Sequence, residues 1–434
     1  MLVETGTTRP PFGRFGSANR VTRQRWVVCT LLFLATVIAY LDRGVIAYLE
    51  PFLEGIIPGL NSVKYGAILA GFQLTYAIGM FFAGGLTDRL GTRKAFALAI
   101  GLWSLAAMLP GAAFSVVTLG VAMALLGLGE AALFPVCIKT VAEWFPKRER
   151  ALANGIFNSG ANVGNITVPL IVPILVVWFT WRGSFVVAGG LGLVWLAAWL
   201  LYYRQPEKHP SVSAEELALI LSDPIEKVQS VPWARVFPCK ETWAYAIAKF
   251  LTDPIWWFYL FWLPRYLQAT FHLSLTANRM PVVMVYSISI IGSVGGGWLS
   301  TAMMKRGVTT NRARKTTMLI CAVAVTPVFA APFVHHLWMV VGLVGLATAA
   351  HQGWSATLLT FPSDVFPKAA VGSASGVGGM FGALGGVLLQ FSTGVIVQVT
   401  HSYVSLFVLA CSAYLIALAI VHTISPRMDA ANMG

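Results

Sequence analysis

Long runs of apolar residues, separated by short polar stretches, recur along almost the whole chain. A run of about 20 such residues lets an α-helix cross the hydrocarbon core of a bilayer, which is about 30 Å thick. The pattern predicts an all-α membrane protein with twelve transmembrane helices. Their predicted bounds, good to a few residues, are 26–50, 64–86, 94–113, 117–141, 150–175, 183–204, 241–270, 279–303, 316–335, 338–362, 371–397 and 402–424.

Composition and charge agree with this pattern. Apolar residues make up 57% of the 434 and charged residues only 11%, whereas soluble domains average about 25% charged. A net charge of +13 is also found in proteins that bind nucleic acid. Here, however, Lys and Arg alternate with apolar spans instead of forming one patch interleaved with aromatic residues. An ordinary soluble enzyme is therefore excluded, and we expect no nucleic-acid partner.

The distribution of basic residues predicts the orientation. Most of the 30 Lys and Arg fall in the connections on the side of both termini, and such connections stay in the cytoplasm. Five arginines and no apolar run precede Trp26, so a cleaved signal peptide is not expected. We predict a multi-pass protein of the inner (plasma) membrane with both termini in the cytoplasm.

A polar stretch at mid-chain divides the helices into two sets of six. It contains Ser213–Glu216, a capping-box sequence that predicts a short helix. Trp144–Gly155 is similar to Val365–Gly376, which indicates an internal duplication. One architecture of secondary transporters consists of parallel six-helix repeats, with the ligand near the midplane between them. The predicted parts are a cytoplasmic tail 1–25, an N-terminal six-helix bundle 26–204, a cytoplasmic linker 205–240, a C-terminal six-helix bundle 241–424 and a cytoplasmic tail 425–434.

Several motifs resemble those of one transporter family. Gly84–Lys94, between the second and third spans, closely resembles the loop signature of the major facilitator superfamily. Further motifs resemble its anion:cation symporter branch, which includes bacterial hexuronate and galactonate transporters. These motifs are Tyr40–Arg43, Gly127–Ala132, Ala142–Arg150, Phe250–Pro264, His351–Gln352 and Ser363–Phe366. The resemblance implies two six-helix bundles and proton-coupled import of a sugar acid, such as a hexuronate or aldonate, by alternating access.

Arg43 lies well inside the first span, where a charge costs about 2.5–3.5 kcal/mol and the guanidinium cannot lose its proton. Its planar fork suits a substrate carboxylate, and the alternative is a structural ion pair. The resemblance favours substrate binding at Arg43 and at Tyr76, because substrate-contacting residues of the family match both positions. Tyr40 shares the face of Arg43, so both are placed on the substrate cavity, whereas Asp42 points about 100° away. Asp42 is therefore a candidate proton carrier, with a packing role as the alternative.

Glu130 lies within the fourth span among small residues. Burial favours the neutral form of a carboxyl, so Glu130 could carry the coupling proton, and the resemblance implies the same. The alternative is a buried structural acid. Family members often carry an arginine seven residues earlier, where this chain has Met123. Without that partner, Glu130 is expected to become neutral more easily.

Lys249, in the seventh span, is a candidate for a second contact with the substrate. The resemblance supports this, because the galactonate carrier has a substrate-contacting glutamine at this position and hexuronate carriers have a basic residue. The alternative is an ion pair with Asp253, one turn further along the helix. Two cations, Arg43 and Lys249, also leave a rival substrate class open, an aromatic or hydroxylated dicarboxylate on the same fold.

Polar and aromatic side chains within the spans are candidates for the rest of the site. Asn158 with Asn162, and Gln352 with Ser355, form pairs on shared helix faces that could bind substrate hydroxyls or join helices to each other. Trp256 could form a wall of the cavity or face lipid. In the signature loop, the resemblance implies that Asp88, Arg89 and Arg93 form a cytoplasmic latch, and the alternative is a solvated charge run.

Other classes of function have less support. The five cysteines show no CxxC or Cys/His spacing, so neither a disulfide nor a metal site is predicted, and we expect no cofactor. No nucleophile with a base or cluster of metal ligands is recognisable, so an enzyme is not predicted. A membrane sensor of sugar acids that does not transport them is the remaining rival. The expected partners are an organic anion, protons and the lipid bilayer, and the protein is expected to be a monomer.

Overall fold

A computed structural model of the protein describes residues 22–222 and 233–428. Most of the predicted N-terminal tail, part of the linker and part of the C-terminal tail lie outside these ranges. All regular secondary structure within them is helical. Helices α1 to α14 are Gln24–Leu53, Ser62–Met108, Val116–Glu130, Leu133–Trp144, Lys147–Tyr202, Ala214–Ile220, Trp233–Val236, Lys240–Phe271, Arg279–Lys305, Thr310–Val325, Leu337–Leu358, Phe361–Val365, Lys368–Thr400 and Val404–Ile424.

Twelve crossings of the bundle account for the predicted spans. Helix α2 holds two crossings that separate at Gly91, and α5 holds two that separate at Thr180. The fourth crossing is α3 followed by α4, and a 3-10 helix, Thr326–Phe333, continues α10. Within the described ranges, nine stretches are long and apolar enough to span a membrane, and one of them, Leu152–Tyr202, contains two crossings. The prediction of an all-α, twelve-helix membrane fold is confirmed.

Gly91 makes the tight connection between the second and third crossings. Its φ of 75° lies in the left-handed region, which glycine enters without steric cost. The loop signature therefore has a structural reason for glycine at this position.

Glycines on α5 bring this helix close to α1. A Cβ added to Gly160 would lie 2.6 Å from the carbonyl oxygen of Phe33, and one added to Gly164 would lie 2.7 Å from Cβ of Tyr40. Any larger side chain would push the two helices apart. This close contact fixes the part of α1 that carries Tyr40 and Arg43.

The N-terminal half (α1 to α5) and the C-terminal half (α8 to α14) are joined where α1 ends and α2 begins. We call this the closed end. Arg265, on α8, bonds to Glu50 and also contacts Glu54 (2.8 Å) and Ser62 Oγ (2.9 Å) in the N-terminal half. At the opposite end, Arg25 pairs with Glu149 of its own half (2.9 Å) and with Glu216 of the linker (3.0 Å).

The linker docks on the N-terminal half through α6. Ser213 Oγ accepts from the Glu216 amide (3.2 Å), so the predicted short helix begins as its sequence suggests. The Glu216 side chain is fully buried and accepts from the backbone amides of Gln24 (3.0 Å) and Arg25 (3.1 Å). Glu216 therefore caps the start of α1.

Candidate functional site

Arg43 is fully buried at the centre of the bundle, enclosed by aromatic rings. Its Cζ lies 4.9 Å from the ring centroids of both Tyr40 and Tyr76, 5.4 Å from Trp257 and 5.6 Å from Phe72. Such distances allow cation–π attraction, which is stronger where water is excluded. Trp257 belongs to the C-terminal half and the other three rings to the N-terminal half. The cation therefore lies between the halves.

Only one of the three guanidinium nitrogens of Arg43 has a hydrogen-bond partner among the described residues. Its Nε donates to Oε2 of Glu130, which is also fully buried. Neither Nη1 nor Nη2 of Arg43, nor Oε1 of Glu130, has a hydrogen-bond partner among the described residues. The two terminal nitrogens form the edge of the fork that binds a carboxylate in bidentate fashion. The ion pair and a substrate contact, which the sequence offered as alternatives, are thus compatible.

Glu130 reaches Arg43 because α3 packs closely against its neighbours. A Cβ added to Gly127 would lie 2.7 Å from Thr75 Oγ1, and one added to Gly129 would lie 2.8 Å from the Trp103 backbone. Helix α3 ends at Glu130 itself and the next helix begins three residues later. Small residues and this break place the carboxylate in the interior, so Glu130 has a cationic partner although Met123 supplies none.

Asp42 is a separate buried acid. Its side chain is 3% exposed, and neither carboxylate oxygen has a hydrogen-bond partner among the described residues. It makes no ion pair with Arg43, in keeping with the different directions of consecutive helical side chains.

A second ion pair lies on α8, in the C-terminal half. Lys249 Nζ is 2.6 Å from Asp253 Oδ2, one helical turn away, and the side chains are 10% and 21% exposed. This is the pair that the sequence offered as the alternative to substrate binding by Lys249.

Trp256 is buried but is not one of the rings around Arg43, whereas its neighbour Trp257 is. Trp256 stacks on His351, with centroids 5.3 Å apart and an interplanar angle of 11°. His351 Nδ1 in turn lies 2.6 Å from the hydroxyl of Tyr414. The rotation of α8 turns Trp256 into its own half and leaves Trp257 facing the other half.

The polar candidates are only partly brought together. Gln352 Nε2 donates to Asn162 Oδ1 (3.2 Å), which joins the two halves near the middle of the bundle. Asn158 is exposed and Ser355 is half-buried, one turn away from this contact on their respective helices. In this conformation, Asn162 and Gln352 serve as the interhelical link that was one of their two predicted roles.

The latch predicted in the signature loop remains a prediction. Arg93 Nη2 donates to the carbonyl oxygen of Leu200 (2.5 Å), and Arg89 is exposed. The side chain of Asp88 lies outside the described part of the chain.

Phe72 was not predicted from the sequence as part of the site, nor was Arg265 with its partners Glu50 and Glu54. Phe72 lies one turn before Tyr76 on the same face, a spacing that could have identified it. Charged residues near span ends are ordinary in membrane proteins, so nothing in the sequence marks Arg265 or its partners.

Comparisons with known proteins agree with this fold. The sequence profile of the Major Facilitator Superfamily matches residues 32–390. The hexuronate transporter of Escherichia coli (strain K12) is 27% identical over 427 residues, which cover 96% of this chain and 97% of that one. The D-galactonate transporter of Escherichia coli O6:H1 is 27% identical over 399 residues, which cover 88% and 91%.

Solved structures show the same fold. The crystal structure of a bacterial homolog of the human lysosomal transporter Spinster, inward-facing and unoccupied, superposes with a TM-score of 0.70 at 18% identity, covering 94% of this chain and 95% of that one. Together with the family match, this shows that the chain belongs to the Major Facilitator Superfamily and is an integral membrane transporter, not an enzyme.

Proposed function

We propose that this protein imports a sugar acid, such as a hexuronate or aldonate, together with one or more protons by alternating access. The observation that carries the proposal is the Arg43 guanidinium, which is buried between the halves, enclosed by four rings and unpaired at both terminal nitrogens. That edge suits one carboxylate. Relatives named as hexuronate and galactonate transporters, similar along nearly the whole chain, support a sugar acid as its source.

Charge balance around Arg43 supplies a route for proton coupling. Without substrate, an ionised Glu130 neutralises Arg43. When a substrate carboxylate binds, it supplies the negative charge that neutralises Arg43. The group of Arg43, Glu130 and the substrate carboxylate is then neutral only if Glu130 carries a proton. Because an uncompensated buried charge costs several kcal/mol, the carrier should reorient either with substrate and proton or with neither.

Asp42 is the candidate for a second proton. Burying a carboxylate without a partner is costly, and Asp42 lies next to Arg43 in the chain without pairing with it. Asp42 is therefore expected to be protonated in the substrate-loaded carrier, and it adds a second transported proton if it releases that proton to the cytoplasm and stays ionised while the empty carrier returns. A second proton would make import of a monovalent anion sensitive to membrane potential.

The ion pair of Lys249, in the C-terminal half, favours a monocarboxylate substrate over a dicarboxylate. Lys249 is already neutralised by Asp253 at 2.6 Å, whereas Arg43 keeps a free binding edge. One free cationic edge matches one carboxylate, and the hydroxyl-bearing remainder of the substrate would extend from it.

The proposed topology places both termini in the cytoplasm and the closed end outside. We expect Arg265→Ala to weaken that closure, because Arg265 bonds to three groups of the opposite half. Hydrogen exchange at residues 54–65 should speed up about tenfold, since charge-assisted hydrogen bonds contribute about 1.5–3 kcal/mol. Mass spectrometry of the purified protein measures this change.

Lys64 provides a matched control for that measurement. It lies at the same end but is exposed, and it donates to the Gly59 carbonyl (2.7 Å) within its own half. Lys64→Ala should leave exchange unchanged apart from the Gly59 turn. Equal exchange in Arg265→Ala and wild type would contradict a role for Arg265 in closing this end.

Uptake into proteoliposomes tests the proposed function. Radiolabelled glucuronate, galacturonate and galactonate would be offered with and without an inward proton gradient, and dicarboxylates would be added as competitors. We expect the gradient to drive accumulation of at least one sugar acid above its external concentration. Accumulation of dicarboxylates alone would favour the rival substrate class, and binding without accumulation would favour a sensor.

A further inference from the structure

A second polar side chain without a partner lies beside the Arg43 cluster. Gln73 is 0% exposed, and neither its Oε1 nor its Nε2 has a hydrogen-bond partner among the described residues. It lies on α2 one turn before Tyr76, so the two side chains share a helix face. Buried amides are nearly always hydrogen-bonded, so an unpaired amide at this position calls for an explanation.

The surroundings of Gln73 place it at the interface between the halves. A Cβ added to Gly386, on α13, would lie 3.4 Å from the Gln73 amide carbon, 3.5 Å from its Nε2 and 3.6 Å from Trp257 Cδ1. The amide and the indole therefore border the same space. The Trp257 ring centroid is 5.4 Å from Arg43 Cζ, so this space lies close to the Arg43 guanidinium.

The chemistry of an amide fits a hydroxyl group. A glutamine side chain offers two donors and an acceptor oxygen, and a hydroxyl both donates and accepts. A sugar acid held at Arg43 by its carboxylate carries hydroxyls on the neighbouring carbon atoms. An alkyl acid in the same place would leave the amide unpaired, which costs free energy comparable to a lost hydrogen bond.

Other amides in the interior are less suited to this role. Asn162 and Gln352 bond to each other. Gln390 Oε1 accepts from Trp262 Nε1 (2.6 Å), so only the Nε2 of that amide lacks a partner among the described residues. Asn165 is also unpaired, but it lines a separate small cavity with Tyr48, Pro264 and other residues, none of them a ring around Arg43.

We propose that Gln73 binds a hydroxyl group of the substrate and so selects hydroxylated acids over acids that lack that hydroxyl. This inference rests on the proposed function and assigns to the same site a specificity-determining residue. It predicts an energetic coupling between the Gln73 amide and one particular substrate hydroxyl.

Equilibrium binding to the purified protein tests that coupling. The ligands are radiolabelled galactonate and glucuronate, with their monodeoxy analogues as competitors. Wild type should bind one analogue about tenfold more weakly than its parent acid. Gln73→Leu should bind the parent about tenfold more weakly and no longer distinguish it from that analogue.

Gln390→Leu is the matched control, because it also removes a fully buried amide from the interface region. It should keep the wild-type ratio between parent and analogue. If Gln73→Leu does not fold, Gln73→Met, which keeps the unbranched shape, carries the same comparison.

Two outcomes would overturn the inference alone while wild type still binds a sugar acid. One is a Gln73 variant that keeps the wild-type preference for the parent over every analogue. The other is equal weakening of all ligands, which indicates a structural role only. If wild type binds neither sugar acid, the proposed function fails first and the inference fails with it.

Discussion

Replacing Arg43 with Ala is expected to abolish sugar-acid uptake, and Arg43→Lys is expected to lose more than about 100-fold. Removing one partner of a buried charge pair costs about 3–5 kcal/mol, and here the same guanidinium serves both Glu130 and the substrate. A lysine keeps the charge but has a single amino group. It cannot bind a substrate carboxylate through two nitrogens while a third nitrogen bonds to Glu130, as the guanidinium can. Initial rates of radiolabelled uptake in proteoliposomes measure both losses.

Folding must be separated from binding in this experiment. Arg43→Ala leaves Glu130 buried without its cation, which is itself destabilising. The double variant Arg43→Ala, Glu130→Gln removes that charge, so its thermal stability should recover while uptake stays absent. Arg182→Lys, at an exposed arginine over Trp181, should transport normally. Near-normal uptake by Arg43→Lys would contradict carboxylate binding by the fork.

Replacing Glu130 with Gln is expected to separate exchange from accumulation. Glutamine imitates the protonated acid, so the substrate-loaded carrier stays neutral and reorients. The empty carrier keeps an uncompensated Arg43 and does not return. Proton-driven accumulation should fall more than about 20-fold, because several kcal/mol oppose the return step, while counterflow into vesicles preloaded with unlabelled substrate should continue.

The Asp42→Asn variant tests whether a second proton is transported with each substrate anion. If Asp42 carries a second proton, Asp42→Asn should make uptake less dependent on membrane potential and leave its dependence on Glu130 intact. The ratio of uptake with and without an imposed potential measures this change. Wild-type coupling in the Asp42→Asn, Glu130→Gln double variant would rule out both acids as proton carriers.

The fold could be predicted because the bilayer imposes a strong length rule on the sequence. Apolar runs of about 20 residues located all twelve crossings, and breaks such as Gly91 fall between predicted spans. Arg43 was identifiable for the same reason, since a charge in the middle of a span is conspicuous.

The partners of Arg43 were harder to predict, because they depend on helix rotation and contacts distant in sequence. Glu130 is 87 residues away from Arg43, and a sequence pattern does not specify that pairing. Trp256 and Trp257 are adjacent on a helix that contains Pro254 and Pro264, and prolines change helix direction. Helix periodicity alone therefore could not tell which of the two rings faces Arg43.

The central claim is that a proton moves with each sugar acid through the Arg43–Glu130 pair. The most direct measurement records luminal pH and radiolabel uptake together, in proteoliposomes without an imposed gradient, after addition of galactonate or glucuronate. We expect wild type to acidify the lumen by at least one proton per anion, and Glu130→Gln, in vesicles preloaded with unlabelled substrate, to exchange substrate without acidification. Wild-type uptake without acidification, or acidification that persists in Glu130→Gln, would contradict the claim.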